Sequence, residues 1–187
     1  RVRGETTFAL AADGLTQTVR ARNLGTSPAP FGTGPHPYVV AGPAPLDEWT
    51  LALPAASVLE VTPDRLSPVA VHAVTDYEPD RFDRRAPRVL GDVELDHAFT
   101  GIEADADGTV TVRVTDPSGV GVAVTWGPEC PWVQVHTADK PAGAAHPGHR
   151  KGLAVEPMTC APDAFNASAY DYDAGLLVLA PGATFAA

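Results

Sequence analysis

Two short segments that alternate apolar and polar residues, Thr109–Thr115 (T-V-T-V-R-V-T) and Val120–Trp126 (V-G-V-A-V-T-W), flank the turn sequence Asp116-Pro-Ser-Gly119. A period of two sends successive side chains to opposite faces, which suits a half-buried strand and not a helix. The Pro and Gly between the segments favour a tight turn, so the pair is predicted to form an antiparallel hairpin. The same punctuation runs through the chain. Asp13-Gly14 precedes Thr16–Ala21, Pro54 separates Leu51–Leu53 from Ser57–Val61, and Asp107-Gly108 gives a second hairpin signal. Trp132–His136, Gly152–Val155 and Gly175–Leu179 read as further strands. No stretch of ten residues sustains a helical period, and nineteen prolines with seventeen glycines favour strands and turns. The predicted fold class is all-β, an antiparallel sandwich or barrel.

The 187 residues fit one domain with a sizeable core. A formal charge of −10 argues against nucleic acid or an anionic membrane as partner, since both need a basic face. Two cysteines, Cys130 and Cys160, are too few for a disulfide framework and fit a reducing, cytoplasmic setting. No apolar run reaches the roughly 20 residues of a membrane span. The chain opens on Arg1 within a strand-like pattern and stops soon after P-G-A-T-F, which reads as a fragment or a processed chain.

Candidate chemistry begins with G-T-G-P-H-P-Y-V-V, Gly32 to Val40. Two prolines lock the backbone on either side of His36 and remove its neighbours' donors, so the imidazole belongs to neither a helix nor a central strand. Glu156 in L-A-V-E-P-M-T is delivered to a strand end by an apolar run, and Pro157 is expected to stop the ladder there. Apolar neighbours would raise the pKa of such a carboxylate and make it a base near neutral pH. Asp96 follows the strand-like V-E-L, with His97 and Phe99 after it. Gln134 alternates with Trp132 and His136 on one face of its strand, where an amide suits hydroxyl recognition. Two long loops are candidates for binding or mobility: the charged Thr75–Val89, and the Ala/Gly/Pro-rich Ala138–Lys151 with His146 and His149. These two histidines have no third ligand at a reliable spacing, and Asp105 and Asp107 lack the later ligands of a calcium loop, so no metal is expected.

The strings H-P-Y, L-D-H-A-F, V-Q-V-H-T and V-E-P-M-T-C-A-P-D-A-F-N, in this order, resemble the aldose 1-epimerase (galactose mutarotase) family, in particular its bacterial branch. Asp13 to Gly32 is similar to the strand and turn that precede the histidine there. The resemblance implies a large antiparallel β-sandwich, a galactose mutarotase-like supersandwich, with a sugar groove on a concave face. It implies an isomerase that interconverts the α and β anomers of a free aldohexose without a cofactor. It assigns His36 and Glu156 as the acid–base pair and Asp96, Gln134 and Tyr38 as substrate-binding residues, with Phe99 and Trp132 as further apolar surfaces for the sugar.

The family's members are longer. Residues 1–187 are therefore expected to be the C-terminal portion of a single mutarotase-like domain, and the sandwich in this chain to be incomplete. An upstream segment or a homo-oligomer would complete the sheet. Two rival readings stay open: a carbohydrate-binding module of the same fold, which needs no matched acid and base, and a hexose-6-phosphate 1-epimerase. The latter would need basic residues at the phosphate, for which Arg81, Arg84, Arg85 and Arg88 are the candidates, although their interleaved acids suggest a solvated loop.

Overall fold

The computed structural model, which describes residues 1–187, resolves the alternating segments into fifteen strands. In chain order the first are β1 (Val2–Ala11), β2 (Gly14–Asn23), β3 (Ala29–Phe31), β4 (Tyr38–Val39) and β5 (Thr50–Ala52). They are followed by β6 (Ala55–Val61), β7 (Pro68–Ala73), β8 (Arg88–Val89), β9 (Asp96–Ile102) and β10 (Val110–Thr115). The last are β11 (Gly121–Trp126), β12 (Trp132–His136), β13 (Leu153–Met158), β14 (Leu177–Leu179) and β15 (Thr184–Ala186). Every paired neighbour is antiparallel.

A six-stranded sheet, in the order β4-β13-β12-β9-β6-β7, packs against a four-stranded sheet, β11-β10-β5-β8. The main core lies between them. Phe99, Val133, Val135, Leu153 and Val155 point inward from the larger sheet and meet Leu51, Val112 and Val114 from the smaller one. All eight are essentially inaccessible to water. At about 1.5–3 kcal/mol for each fully buried aliphatic or aromatic side chain, this layer is what holds the two sheets together. A three-stranded sheet, β1-β2-β15, and the pair β14-β3 complete the fold. It is an antiparallel β-sandwich, and the hairpin expected around Asp116–Gly119 is β10–β11, with Val112 opposite Val124.

Three local expectations are corrected. Val93–Leu95 is not a strand; the ladder begins at Asp96, held in place where Thr137 Oγ1 accepts from the Leu95 amide at 2.9 Å. Asp107-Gly108 turns the chain, but it joins β9 to β10 in the other sheet and makes no hairpin. Nor does Pro157 stop β13, which runs on with Pro157 opposite Val133 and Met158 opposite Trp132. The Val155 amide, two residues earlier, points away from β12 to Pro37 O at 3.4 Å, so the donor that Pro157 lacks would also face away from β12.

Candidate active site

Strand register gathers five polar and aromatic side chains on the outer face of the six-stranded sheet. Gln134 stands opposite Glu156 on one side and Ala98 on the other. One pair further along, His136 stands opposite Asp96 and Ala154, and Ala154 opposite Tyr38. Because Val133, Val135 and Val155 fill the core on the reverse face, period-two alternation turns Gln134, His136 and Glu156 outward. One end of this outer face is roofed by a second cluster, in which Trp132, Leu59 and Ala98 pack with Ala161, Ala164 and Ala174. The other end carries Asp96, His136, Glu156 and Tyr38.

His36 reaches Glu156 from a loop laid over the end of β13. The Thr33 amide donates to Thr159 Oγ1 at 2.9 Å, and the Thr159 amide donates back to Thr33 O at 2.9 Å. The approach is close enough that a Cβ on Gly34 would sit 2.8 Å from Met158 Cγ, so glycine lets the loop lie this low against the Met158 side chain as it stands. The result is His36 Nε2 at 3.4 Å from Glu156 Oε1, with the histidine side chain 54% exposed and the glutamate 13%. The Tyr38 ring flanks the imidazole, its centroid 4.9 Å away.

Burial raises the Glu156 pKa above the usual carboxylate range; Asp96 adds to the effect, and His36 and His136 oppose it. Tyr38 is likewise raised, first by burial and then by Glu156 and Asp96. Gln134 Nε2 donates to Asp96 Oδ1 at 2.7 Å, which fixes the amide and leaves Gln134 Oε1 buried without a partner. His136 Nδ1 lies 3.7 Å from Asp96 Oδ2 and 3.3 Å from Leu95 O. The face therefore presents a carboxylate of raised pKa, an imidazole, a second carboxylate and an amide within one patch. That combination can move protons to and from a hydroxylated ligand while accepting its hydrogen bonds.

All five residues selected from sequence, His36, Tyr38, Asp96, Gln134 and Glu156, come together here. Phe99 does not: it is completely buried on the reverse face, and Trp132 is buried under the alanine roof. His136 is the member that sequence reasoning did not select. Its signal was present, since it alternates with Gln134 on the same strand face. His97 points the other way, its ring 4.8 Å from that of Phe82, and burial lowers its pKa to about 4.

The arginines of the Thr75–Val89 loop are occupied. Arg84 is buried rather than solvated and donates to the carbonyls of Asp80, Arg81 and Val89. Arg85 pairs with Asp83, Arg88 with Asp80, and Arg81 with Glu78. In the other loop, His149 Nδ1 accepts from the Lys140 amide and His146 Nδ1 from that of Gly148. A cavity of about 490 Å³ on the three-stranded sheet, lined in part by Arg3, Arg20 and Arg22, includes none of the site residues.

Comparison with solved structures identifies the fold. A GalM/aldose epimerase homologue from C. elegans superposes with a TM-score of 0.74 at 21% identity, over 99% of this chain and 57% of that one. A galactose mutarotase-like protein from Clostridium acetobutylicum gives 0.73 at 15% identity, over 99% and 54%. The chain has the galactose mutarotase-like fold. In sequence, this mutarotase-like chain is 31% identical over 156 residues to the uncharacterized protein YihR of Escherichia coli (strain K12), covering 83% of this chain and 46% of YihR. It thus spans about half the length of the proteins it matches. No family model matches it.

Proposed function

We propose that this mutarotase-like protein is an aldose 1-epimerase that interconverts the α and β anomers of a free aldohexose, with His36 and Glu156 as its acid–base pair. The observation that carries the reading is the pairing itself. An imidazole and a largely buried carboxylate of raised pKa lie 3.4 Å apart beside Asp96, which is able to accept from sugar hydroxyls.

The chemistry requires two proton transfers that reverse. Ionised Glu156 takes the proton from the anomeric hydroxyl as protonated His36 gives one to the ring oxygen, and the C1–O5 bond breaks to an open-chain aldehyde. Rotation about C1–C2 presents the other face of the carbonyl. His36 then takes the O5 proton as O5 attacks C1, and Glu156 returns its proton to the new anomeric oxygen. Protons balance over the cycle and no electrons or groups leave the sugar. Asp96, held by Gln134 Nε2, accepts hydroxyl hydrogen bonds, and the Tyr38 ring offers a surface for the C–H face of the sugar.

A carbohydrate-binding module would use the same face but needs no matched acid and base. The two unpaired cysteines agree with a reducing, cytoplasmic setting. No helix is long and apolar enough to cross a membrane. Polarimetry on freshly dissolved α-D-glucose and α-D-galactose tests the proposal. Faster approach to anomeric equilibrium is expected with the protein, and an unchanged rate together with sugar-dependent thermal stabilisation would favour the binding module.

A further inference from the structure

One rung beyond the His136–Asp96 pair, Thr137 clamps both backbone groups of Leu95. Its amide donates to Leu95 O at 3.0 Å, and its Oγ1 accepts from the Leu95 amide at 2.9 Å. The single hydroxyl hydrogen goes to Asp139 Oδ2; Leu95 O also lies 3.2 Å from the hydroxyl, but the charged carboxylate is the stronger acceptor. Asp139 Oδ1 in turn accepts from Arg150 Nη1 at 3.0 Å. Thr137 is fully buried, and the Asp139 and Arg150 side chains are 17% and 11% exposed. The proton cycle uses none of the three. We infer that Arg150, Asp139 and Thr137 form a positioning relay that holds Leu95, and through it the His136–Asp96 pair, in the geometry that receives the sugar. The inference rests on the mutarotase reading and adds positioning residues to it.

Leu95 passes the constraint to the site in two ways. It immediately precedes Asp96, so fixing both its backbone groups sets where β9 begins and where the Asp96 carboxylate stands. Its carbonyl also lies 3.3 Å from His136 Nδ1, with Asp96 Oδ2 at 3.7 Å from the same nitrogen. A carbonyl and a carboxylate accept and do not donate, so the hydrogen of the neutral imidazole sits on Nδ1. Nε2 is left with a lone pair that can accept from a sugar hydroxyl. A shift of Leu95 would release this tautomer and the carboxylate together.

The far end of the relay is anchored as firmly. Arg150 Nε donates to Asp47 Oδ1 at 2.7 Å, Nη1 to Val93 O at 3.1 Å and Nη2 to Gly91 O at 2.6 Å. Gly91 and Val93 lie on the stretch that leads into β9, so the guanidinium grips the same approach that Thr137 grips at Leu95. Ala138 and Arg150 both adopt left-handed backbone, with φ of 58° and 50°, and the Arg150 amide donates to Ala138 O at 3.1 Å. Such a conformation is costly for a residue other than glycine and persists where the surroundings impose it. Here it accompanies the turn that brings Asp139 back onto the Thr137 hydroxyl. A polar network whose members are all paired holds one arrangement, as a site that depends on placement needs.

Thr137→Val, which keeps the shape and removes the hydroxyl, and Thr137→Ser, which keeps the hydroxyl, separate positioning from packing. Two readouts are taken on folded protein. One is steady-state anomerisation of α-D-glucose and α-D-galactose; the other is the imidazole nitrogen shifts of His136 in NMR, assigned by the signal missing from His136→Gln. The wild type is expected to show the Nδ1–H tautomer at alkaline pH. Thr137→Val should lose about tenfold or more in kcat/KM, mostly through KM, with the two tautomers mixed. Thr137→Ser should recover most of both. If Thr137→Val does not fold, Arg150→Lys, which keeps the charge and breaks the fork, should show the same changes in smaller measure. Wild-type kcat/KM and His136 shifts in a folded Thr137→Val protein, or in the Arg150→Lys protein that replaces it, would overturn the inference. So would a Thr137→Ser protein as impaired as Thr137→Val, or an Nε2–H tautomer in the wild type. If the wild type turns over neither sugar, the His136 shifts still decide. A tautomer fixed in the wild type and mixed in Thr137→Val would then uphold the relay and remove the mutarotase reading instead.

Discussion

Gln134 Nε2 donates to Asp96 Oδ1 at 2.7 Å across the β12–β9 ladder, and the same amide leaves its oxygen buried and unpartnered one strand away from Glu156. A buried amide oxygen without a donor is costly, on the order of 1–3 kcal/mol, and the fold bears it where the same amide fixes the Asp96 carboxylate. The amide also turns one Asp96 oxygen toward itself and leaves the other, beside His136, for a ligand.

Replacing Gln134 by Ala releases the Asp96 carboxylate from this hold and loosens its contacts to the sugar. KM for the sugar is expected to rise about tenfold with kcat changed much less, since the lost contacts serve bound substrate in every state. Steady-state polarimetry across a sugar concentration series separates the two constants; a fall confined to kcat would mean that Gln134 acts in the proton transfers themselves.

The Gly34→Ala substitution tests whether loop height sets catalytic geometry. The new Cβ would lie 2.8 Å from Met158 Cγ and 3.4 Å from Pro157 O, so either the Met158 side chain gives way or the loop carrying His36 lifts, and the activity distinguishes the two. A stability loss of about 1–3 kcal/mol is expected from denaturant titration, as for overpacking generally. Activity should fall further, by about a hundredfold, because a displacement of about 1 Å at a catalytic group is enough for that. Adding Met158→Ala makes room and should restore part of the rate. A Gly34→Ala protein with wild-type activity would show that the Met158 side chain gives way and the loop stays.

Much of this site was legible in the sequence because strand alternation is a local code. Once Trp132–His136 is read as a strand, Gln134 and His136 must share a face, and Val133 and Val135 must share the other. Proline on both sides of His36 likewise announces a fixed loop. What stayed hidden depends on partners distant in the chain. Phe99 lies three residues after Asp96, so it takes the opposite face once both belong to one strand, β9, and it is the packing of the second sheet that makes that face the core. Pro157 looked like a ladder terminus, because nothing local says on which side of β13 a neighbour is missing. The burial of Arg84 depends on carbonyls of the loop folded around it.

His97 supplies a pH signature of the fold independent of the site. Its folded-state pKa is lowered to about 4, first by burial and then by Arg81, from an ordinary value of 6.5. The unfolded chain therefore binds more protons between these two values, and stability falls as pH drops through that window. The effect is at most about 3 kcal/mol and is complete only near pH 4. Urea titrations of the wild type and His97→Gln at pH 7 and pH 4.5 should show a smaller loss in the variant. Equal losses would mean that the ring titrates alike in the folded and unfolded chain.

The central claim is that His36 and Glu156 act as one acid–base unit. Its most direct test is the anomerisation rate, read by exchange between the α and β anomeric protons in NMR, for the wild type, His36→Ala, Glu156→Gln and the double variant. The account predicts that each single variant loses about 10²–10⁴-fold in kcat, and that the double variant is no worse than the poorer single one, because either deletion already breaks the proton cycle. A folded Glu156→Gln protein that keeps the wild-type rate would contradict it, as would losses that multiply in the double variant.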